Sequence, residues 1–324
     1  MTKKDFTPLR LLVVVALLVA ASQVLSCHAA EFTPAIQLAR SQQAPLVAVG
    51  HAGSELVAVG DHGVVALTAD GHIWRQAKVV PVDTLLTALS FVNASNGWAV
   101  GHGGVLLKTQ DGGENWTLQQ RMEGEPVLLS VWFENSRHGI VVGAYGYASE
   151  TQDGGQSWQR LSVSADGDDL HFNHIFAGQD RSLFIAAEGG NAYRSTDNGA
   201  TWEALDTGAT GSLWSGTTLS DGRILLAGMS GRLLLSKDHG DSWQELDSGT
   251  HEAITAVAQL NDGRVVAVGN GGLVSVSDLD LRYFRANVRA DRLNLSAFAS
   301  LNDGQLVLLS PQGVLAQDLS LARK

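Results

Sequence analysis

The sequence predicts an all-β chain folded as a seven-bladed β-propeller of four-stranded antiparallel blades. Three observations carry this reading. Trp74, Trp116, Trp158, Trp202 and Trp243 follow one another at intervals of 42, 42, 44 and 41 residues. A second series, Gly60, Gly101, Gly143, Ala187, Gly228, Gly269 and Ser310, recurs every 41 to 44 residues, and its seven members imply seven repeats. Each repeat also holds short apolar runs separated by Gly, Asn and Asp, the pattern of strands joined by tight turns.

One unit, residues 85–120, shows the order of the elements. An apolar run over 85–91 leads into the turn Asn93-Ala94-Ser95-Asn96. Gly97-Trp98-Ala99-Val100-Gly101, a third run over 104–110 and a fourth over 116–120 complete four strands. The first connection recurs as Ser220-Asp221-Gly222, Asn261-Asp262-Gly263 and Asn302-Asp303-Gly304, and Asp-Gly favours the positive φ of a hairpin turn. Four antiparallel strands at this period indicate propeller blades. A solenoid of the same units would leave end strands open. The last repeat supplies three strand-like runs, so residues 32–38, beginning at Phe32, are expected to add its outer strand and close the ring.

The N-terminus reads as an export signal. Lys3, Lys4 and Arg10 precede an apolar stretch over residues 11–21 that is short for a membrane span. Two processing routes fit: cleavage after Ala29, or lipidation of Cys27 within Val24-Leu25-Ser26-Cys27, a bacterial lipobox with an unusual Leu25. Residues 1–29 are therefore read as leader and 30–324 as one propeller domain, exported to the periplasm and possibly membrane-anchored through Cys27. Cys27 is the only cysteine, so no disulfide forms within the chain. The formal net charge of −11 becomes more acidic without the basic leader, which argues against nucleic acid as a partner. Apolar residues make up 44% of the chain, enough for a large core built by burial and strand pairing alone.

Between the third and fourth strands a second motif recurs, Ser/Thr-x-Asp-x-Gly-x-x-Trp. It appears as Thr109, Asp111, Gly113, Trp116; as Thr151, Asp153, Gly155, Trp158; as Ser195, Asp197, Gly199, Trp202; and as Ser236, Asp238, Gly240, Trp243. Repeat one carries a shortened version ending at Trp74. In repeat six the same offsets give Ser277, Leu279, Leu281 and Phe284, so the polar turn is expected to be lost there while the aromatic remains. The hydroxyl and carboxylate can satisfy turn backbone groups, glycine permits a left-handed turn, and tryptophan buries area between sheets. The aspartates are thus read as structural, with no cofactor or metal. Trp116, Trp158, Trp202 and Trp243 are expected to be buried between neighbouring blades.

These motifs are the Asp-box, or BNR, repeats of sialidases and other propellers. The fuller unit, Gly97-Trp98-Ala99-Val100-Gly101-His102-Gly103-Gly104 followed by Asp111-Gly112-Gly113-Glu114-Asn115-Trp116, resembles the photosystem II stability and assembly factor family. The chain is similar to an exported, non-photosynthetic bacterial member. The resemblance implies a non-catalytic, monomeric scaffold or assembly factor whose partner is a membrane-associated protein complex, possibly a transport system. The alternatives are a sialidase-like glycan hydrolase and a glycan-binding propeller.

Candidate site residues follow from the topology. Turns from second to third strand and inter-blade loops should share one face, carrying Asp61, His62, His102, Tyr145, Tyr147, Glu188, Asn191, Met229, Arg232 and Asn270, with the Asp-boxes opposite. Tyr145 or Tyr147, Glu188 and Arg232 are the types a sialidase uses, but the Phe/Tyr-Arg-Ile-Pro motif is absent and the loops are short. Tyr145, Glu188 and Arg232 are retained as candidate partner-binding residues. Arg282, Arg285, Arg289 and Arg292 are a second candidate, opposed only by Asp291. His171 and His174 lie three apart on an expected strand, which turns them to opposite faces and opposes joint metal ligation. Asp166-Gly167-Asp168-Asp169 reads as a solvated loop, and the Gly-rich runs at 101–104 and 269–272 as turns, since no helix follows to bind phosphate.

Overall fold

The computed structural model describes residues 33–164, 169–301 and 304–318. The leader, Cys27, Phe32 and the loop residues Asp166, Gly167 and Asp168 lie outside the described residues. Seven antiparallel sheets follow one another along the chain, each with its strands in sequence order. Blade 2 shows the plan: Leu86–Phe91 innermost, then Gly97–Gly101, Val105–Thr109 and Trp116–Arg121. The innermost strands of blades 1, 3, 4, 5, 6 and 7 are Leu46–Ala52, Leu128–Phe133, Phe172–Ala177, Leu213–Thr218, Ile254–Gln259 and Ala297–Ser300. The seven-bladed prediction holds. Six blades have four strands; the seventh has three among the described residues, ending with Gln305–Ser310 and Gly313–Asp318.

Blade interiors explain the composition. Second strands such as Gly139–Gly143, Ile224–Gly228 and Val265–Gly269 are buried at every position, because both of their faces meet another sheet. Alternate residues then serve opposite interfaces. Leu225, Leu233 and Leu235 face blade 6, whereas Ile224, Leu226 and Leu234 face blade 4. Inner strands are also stitched to their neighbours by side chains. Thr87 Oγ1 donates to the Leu128 carbonyl at 2.6 Å, Asn173 Nδ2 to Leu213 at 2.8 Å and Thr255 Oγ1 to Leu295 at 2.6 Å. One step along, Ser130 Oγ accepts from the Ile175 N–H, His174 Nδ1 from Gly216 and Ser215 Oγ from Val257. Small polar residues at these positions satisfy groups that would otherwise face the channel unpaired.

Ring closure differs from the expectation. Residues 34–38 lie along the outer edge of blade 1, not on blade 7: the Ala35 N–H donates to the Val80 carbonyl at 2.9 Å, and Leu38 N–H to Gln76 Oε1 at 2.9 Å. Ala35 packs there with Val80 and Val82. Blades 7 and 1 instead meet through Leu46, Leu56, Ala58 and Ala66 against Ala299, Val307 and Leu309. Ser296 Oγ donates to the Leu46 carbonyl at 2.8 Å, repeating the stitch used between other blades. The same burial that joins every other pair also joins the two ends.

Candidate functional site

Two kinds of turn define two faces. Turns from second to third strand meet the inter-blade loops: Gly63 N–H donates to Thr84, Gly104 to Pro126 and Gly146 to Leu170. Asp-box turns lie on the other face beside the first hairpin of the preceding blade, as Gly112 N–H to Ser95 and Gly154 N–H to Arg137 show. The predicted division into two faces is therefore present.

Within each complete Asp-box the roles are those the residue types suggested. Ser236 Oγ donates to Asp238 Oδ1 at 2.8 Å and accepts from the Gly240 N–H at 2.7 Å. Asp238 accepts from the Ser242 N–H and hydroxyl. Those Ser242 bonds, with the Ser236 hydroxyl, hold the Asp238 carboxyl down to about 2. Asp153 is lowered for the same reasons by Ser157 and Thr151. For Asp111, bonds from Asn115 and Thr109 outweigh burial, and for Asp197 those from Thr201 lead; both are lowered. With their oxygens turned to backbone and hydroxyl donors, these carboxylates serve the turn.

The aromatic of each box packs on the preceding blade. Trp116 lies against Val57, Val65 and Leu67 of blade 1, and its Nε1 donates to the Gly113 carbonyl at 2.9 Å. Trp116 is buried, but Trp158, Trp202 and Trp243 are only half-buried, a correction to the expectation of four buried indoles. Their rings sit near the outer rim, where one edge stays wet. Trp98 is the larger anchor that the repeat spacing missed: it stacks on Phe133 with ring centroids 3.7 Å apart and donates to Gly154 at 3.1 Å. The polar turn of blade 6 also survives. Asp278, one residue earlier than the motif aspartate, accepts from the Arg282 N–H at 2.7 Å.

On the turn face, six turns share one backbone demand. His62, Gly103, Tyr145, Gly189, Ser230 and Gly271 all occupy the left-handed region. Glycine does so freely; a bulky side chain there costs of order 1–3 kcal/mol. Tyr145 is the bulky exception, with φ of 55° and a ring 71% exposed. Its ring meets His171 edge-on at 4.8 Å, and its N–H donates to His171 Nδ1 at 3.2 Å. Glu188 Oε2 accepts from the His171 N–H at 3.3 Å. Tyr145, His171 and Glu188 thus form one cluster between blades 3 and 4, an aromatic plate beside an imidazole and a carboxylate.

The other sequence candidates separate. Arg232 pairs with Glu245 at 2.7 Å within blade 5, away from the tyrosine cluster. Tyr147 turns inward under Arg160, whose guanidinium lies 4.0 Å from the ring centroid. His62 bonds to Asp83 at 2.8 Å, which raises its pKa, while Met229 is exposed. His171 and His174 go to different partners. His174 is half-buried by surface area, yet desolvation lowers its pKa to about 4, so it accepts from Gly216 as neutral imidazole. Among the described residues no cluster of three His, Cys, Asp or Glu side chains has metal-binding geometry. The four arginines form a string along the outer edge of blade 6. Arg282 pairs with Asp278 and Asp280 beside the Asp-box-like turn, Arg289 pairs with Asp291, and Arg292 lies beyond in the loop toward blade 7.

Sequence reasoning also missed a polar cluster on the Asp-box face. His138, buried, contacts Glu134 Oε2 at 3.1 Å and Glu150 Oε1 at 2.9 Å, and Asn198 of the next blade donates to Glu134 at 3.0 Å. It pins blade 3 to blade 4. No motif announces it, because its members lie up to 64 residues apart.

Comparison with solved structures returns propellers. "YCF48 bound to D1 peptide" is 20% identical, with a TM-score of 0.71 over 87% of this chain and 95% of that one. YCF48 from Cyanidioschyzon merolae is 18% identical, with a TM-score of 0.68 over 88% of this chain and 98% of that one. A streptogramin B lyase, 11% identical, reaches 0.73 over 86% of this chain and 94% of that one, so the likeness extends to an enzyme and speaks for fold alone. A search of curated protein sequences found no match. The sequence model described as "Photosynthesis system II assembly factor YCF48" matches residues 66–282, from the third strand of blade 1 through the turn before the outer strand of blade 6. On that match, the chain belongs to the YCF48 family of photosynthesis system II assembly factors.

Proposed function

We propose that this chain is an exported, non-catalytic scaffold or assembly factor that binds a segment of a membrane-associated protein complex. The family match over residues 66–282 carries the reading. A family relative has been captured with a D1 peptide, which makes peptide binding the activity to seek in this propeller. Tyr145, His171 and Glu188 support it locally: an exposed aromatic held at a conformational cost, next to groups that can bond a peptide backbone, suits recognition. Arg232, turned to Glu245, does not join them.

The test is capture of partners from detergent-solubilised membranes by the purified mature protein. One stoichiometric membrane protein is the expected result, with recovery reduced by Tyr145→Ser and Glu188→Gln together while thermal unfolding stays unchanged. Turnover of fluorogenic sialosides, abolished by Tyr145→Phe, would instead establish a glycan hydrolase and overturn the scaffold reading.

A further inference from the structure

At six of the seven blade interfaces one aromatic from the later blade packs on the earlier one. Trp116 covers blade 1, Trp158 blade 2, Trp202 blade 3, Trp243 blade 4, Phe284 blade 5 and Trp74 blade 7. The glycine of the same turn follows it down: a Cβ on Gly113 would lie 3.2 Å from Val57. The interface between blades 6 and 7 has no such aromatic among the described residues. Its core, Val266, Val268, Val274 and Val276 against Leu306 and Leu308, ends where the wedge would stand.

Two features mark that place. A cavity of about 490 Å³ opens beside Val276, with Leu279, Tyr283 and Arg285 on its walls. Val276 holds the repeat position of Leu235, which packs with Phe284 one blade earlier. At the rim, Leu279 is 62% and Tyr283 58% exposed; they stand where Asp238 and Ser242 stand in blade 5. Next to the cavity, Gly313–Asp318 is the last strand of blade 7 and has no outer neighbour among the described residues. Arg289 Nη1 donates to the Ala316 carbonyl at 3.4 Å, which places that carbonyl on the outward edge. In a strand the N–H of the same residue points the same way.

We propose that this edge and cavity receive an extended segment of a partner protein, which adds a fourth strand to blade 7 and inserts an aromatic side chain against Val276. The occupant follows from the six equivalent interfaces, each filled by a strand carrying a Trp or Phe. Strand addition supplies backbone bonds for affinity, and the single pocket selects the aromatic. The inference rests on the scaffold reading but places the contact at a site separate from the tyrosine cluster.

The probe is a fluorescent synthetic peptide with the sequence of residues 236–246 of this chain, which contains Trp243, titrated by anisotropy against the full mature protein. Saturable one-to-one binding is expected, weakened about 30-fold by a Trp243→Ala peptide, the scale of a lost aromatic hot spot. Ala316→Pro, which removes the outward N–H, and Tyr283→Asp, at an exposed rim position, should each weaken it about tenfold or more in a protein of unchanged thermal midpoint. Absence of binding, equal binding of both peptides, or no effect of either protein variant overturns the proposal. So does slow hydrogen exchange at Ala316 in the isolated monomer, which would mean that residues 1–32 or 319–324 already fill the edge. A dimer that competes with the peptide overturns it in favour of a second copy. None of these readouts uses membranes, so a failed membrane capture with intact peptide binding would fault the function and leave the edge site standing.

Discussion

Replacing Trp116 by alanine tests the idea that Asp-box aromatics act as wedges between blades. Trp116 is 1% exposed, packs on Val57, Val65 and Leu67, and meets Phe91 edge-on at 6.2 Å. Large-to-small changes of this kind cost about 3–5 kcal/mol, and the orphaned Gly113 carbonyl adds about 1 kcal/mol. An expected loss of about 4–5 kcal/mol corresponds to a drop of about 8–10 °C in a domain of this size. Trp158 has the same motif position and the same indole bond, to Gly155 at 3.2 Å, but is half-buried, so Trp158→Ala should cost about half as much. The assay is thermal unfolding of both variants at one scan rate. Equal midpoints for the two would refute the burial argument and leave turn chemistry as the motif's whole contribution.

Three further outcomes follow from the geometry. Because Asp238 is depressed to about 2 and Asp153 lies lower still, their stabilisation is complete above the unfolded value near 3.8 and is lost as pH falls through the folded value. Unfolding midpoints between pH 5 and 2 should therefore fall less steeply for Asp153→Asn with Asp238→Asn than for wild type, and parallel curves would contradict it. Deleting residues 31–39 should leave a monomer of slightly lower midpoint on gel filtration, since only the blade 1 edge contacts of Ala35 and Leu38 go; aggregation would show that the segment closes the ring. Gly63→Ala should be strongly destabilising, because a Cβ there would sit 2.0 Å from the Val82 carbonyl.

What the sequence made legible was local. Asp111 and its partners fall within eight residues, and a turn that short leaves its chemistry in the order of its side chains. Blade number was legible because each blade needs a glycine-rich second turn whose left-handed centre recurs at the blade period. Closure was not, since Ser296 and Leu46 are 250 residues apart and no repeat pattern distinguishes the last interface from the others. Asp278 was overlooked because a carboxylate shifted by one residue can reach the same backbone donors. Trp98 was hidden inside an apolar strand, where nothing in spacing separates an anchor from filling. The Tyr145–His171 contact joins two blades across 26 residues, and only the folded ring puts them together.

Departures from the repeat are where binding is best sought in this molecule. Blades 2 to 5 keep the hydroxyl, carboxylate, glycine and tryptophan of the Asp-box, and those residues spend their hydrogen bonds on their own turns. A side chain already committed in this way has little left for a ligand. Tyr145, by contrast, occupies a position where glycine would cost less, and exposes its ring. Leu279 and Tyr283 replace polar residues and face solvent beside a cavity that every other interface fills with an aromatic. Neither arrangement adds to the stability of the ring. Substituting these residues should therefore change binding while leaving unfolding almost untouched, whereas substituting Trp116 should do the reverse; a variant series that mixed the two effects would show that recognition and folding share the same residues after all.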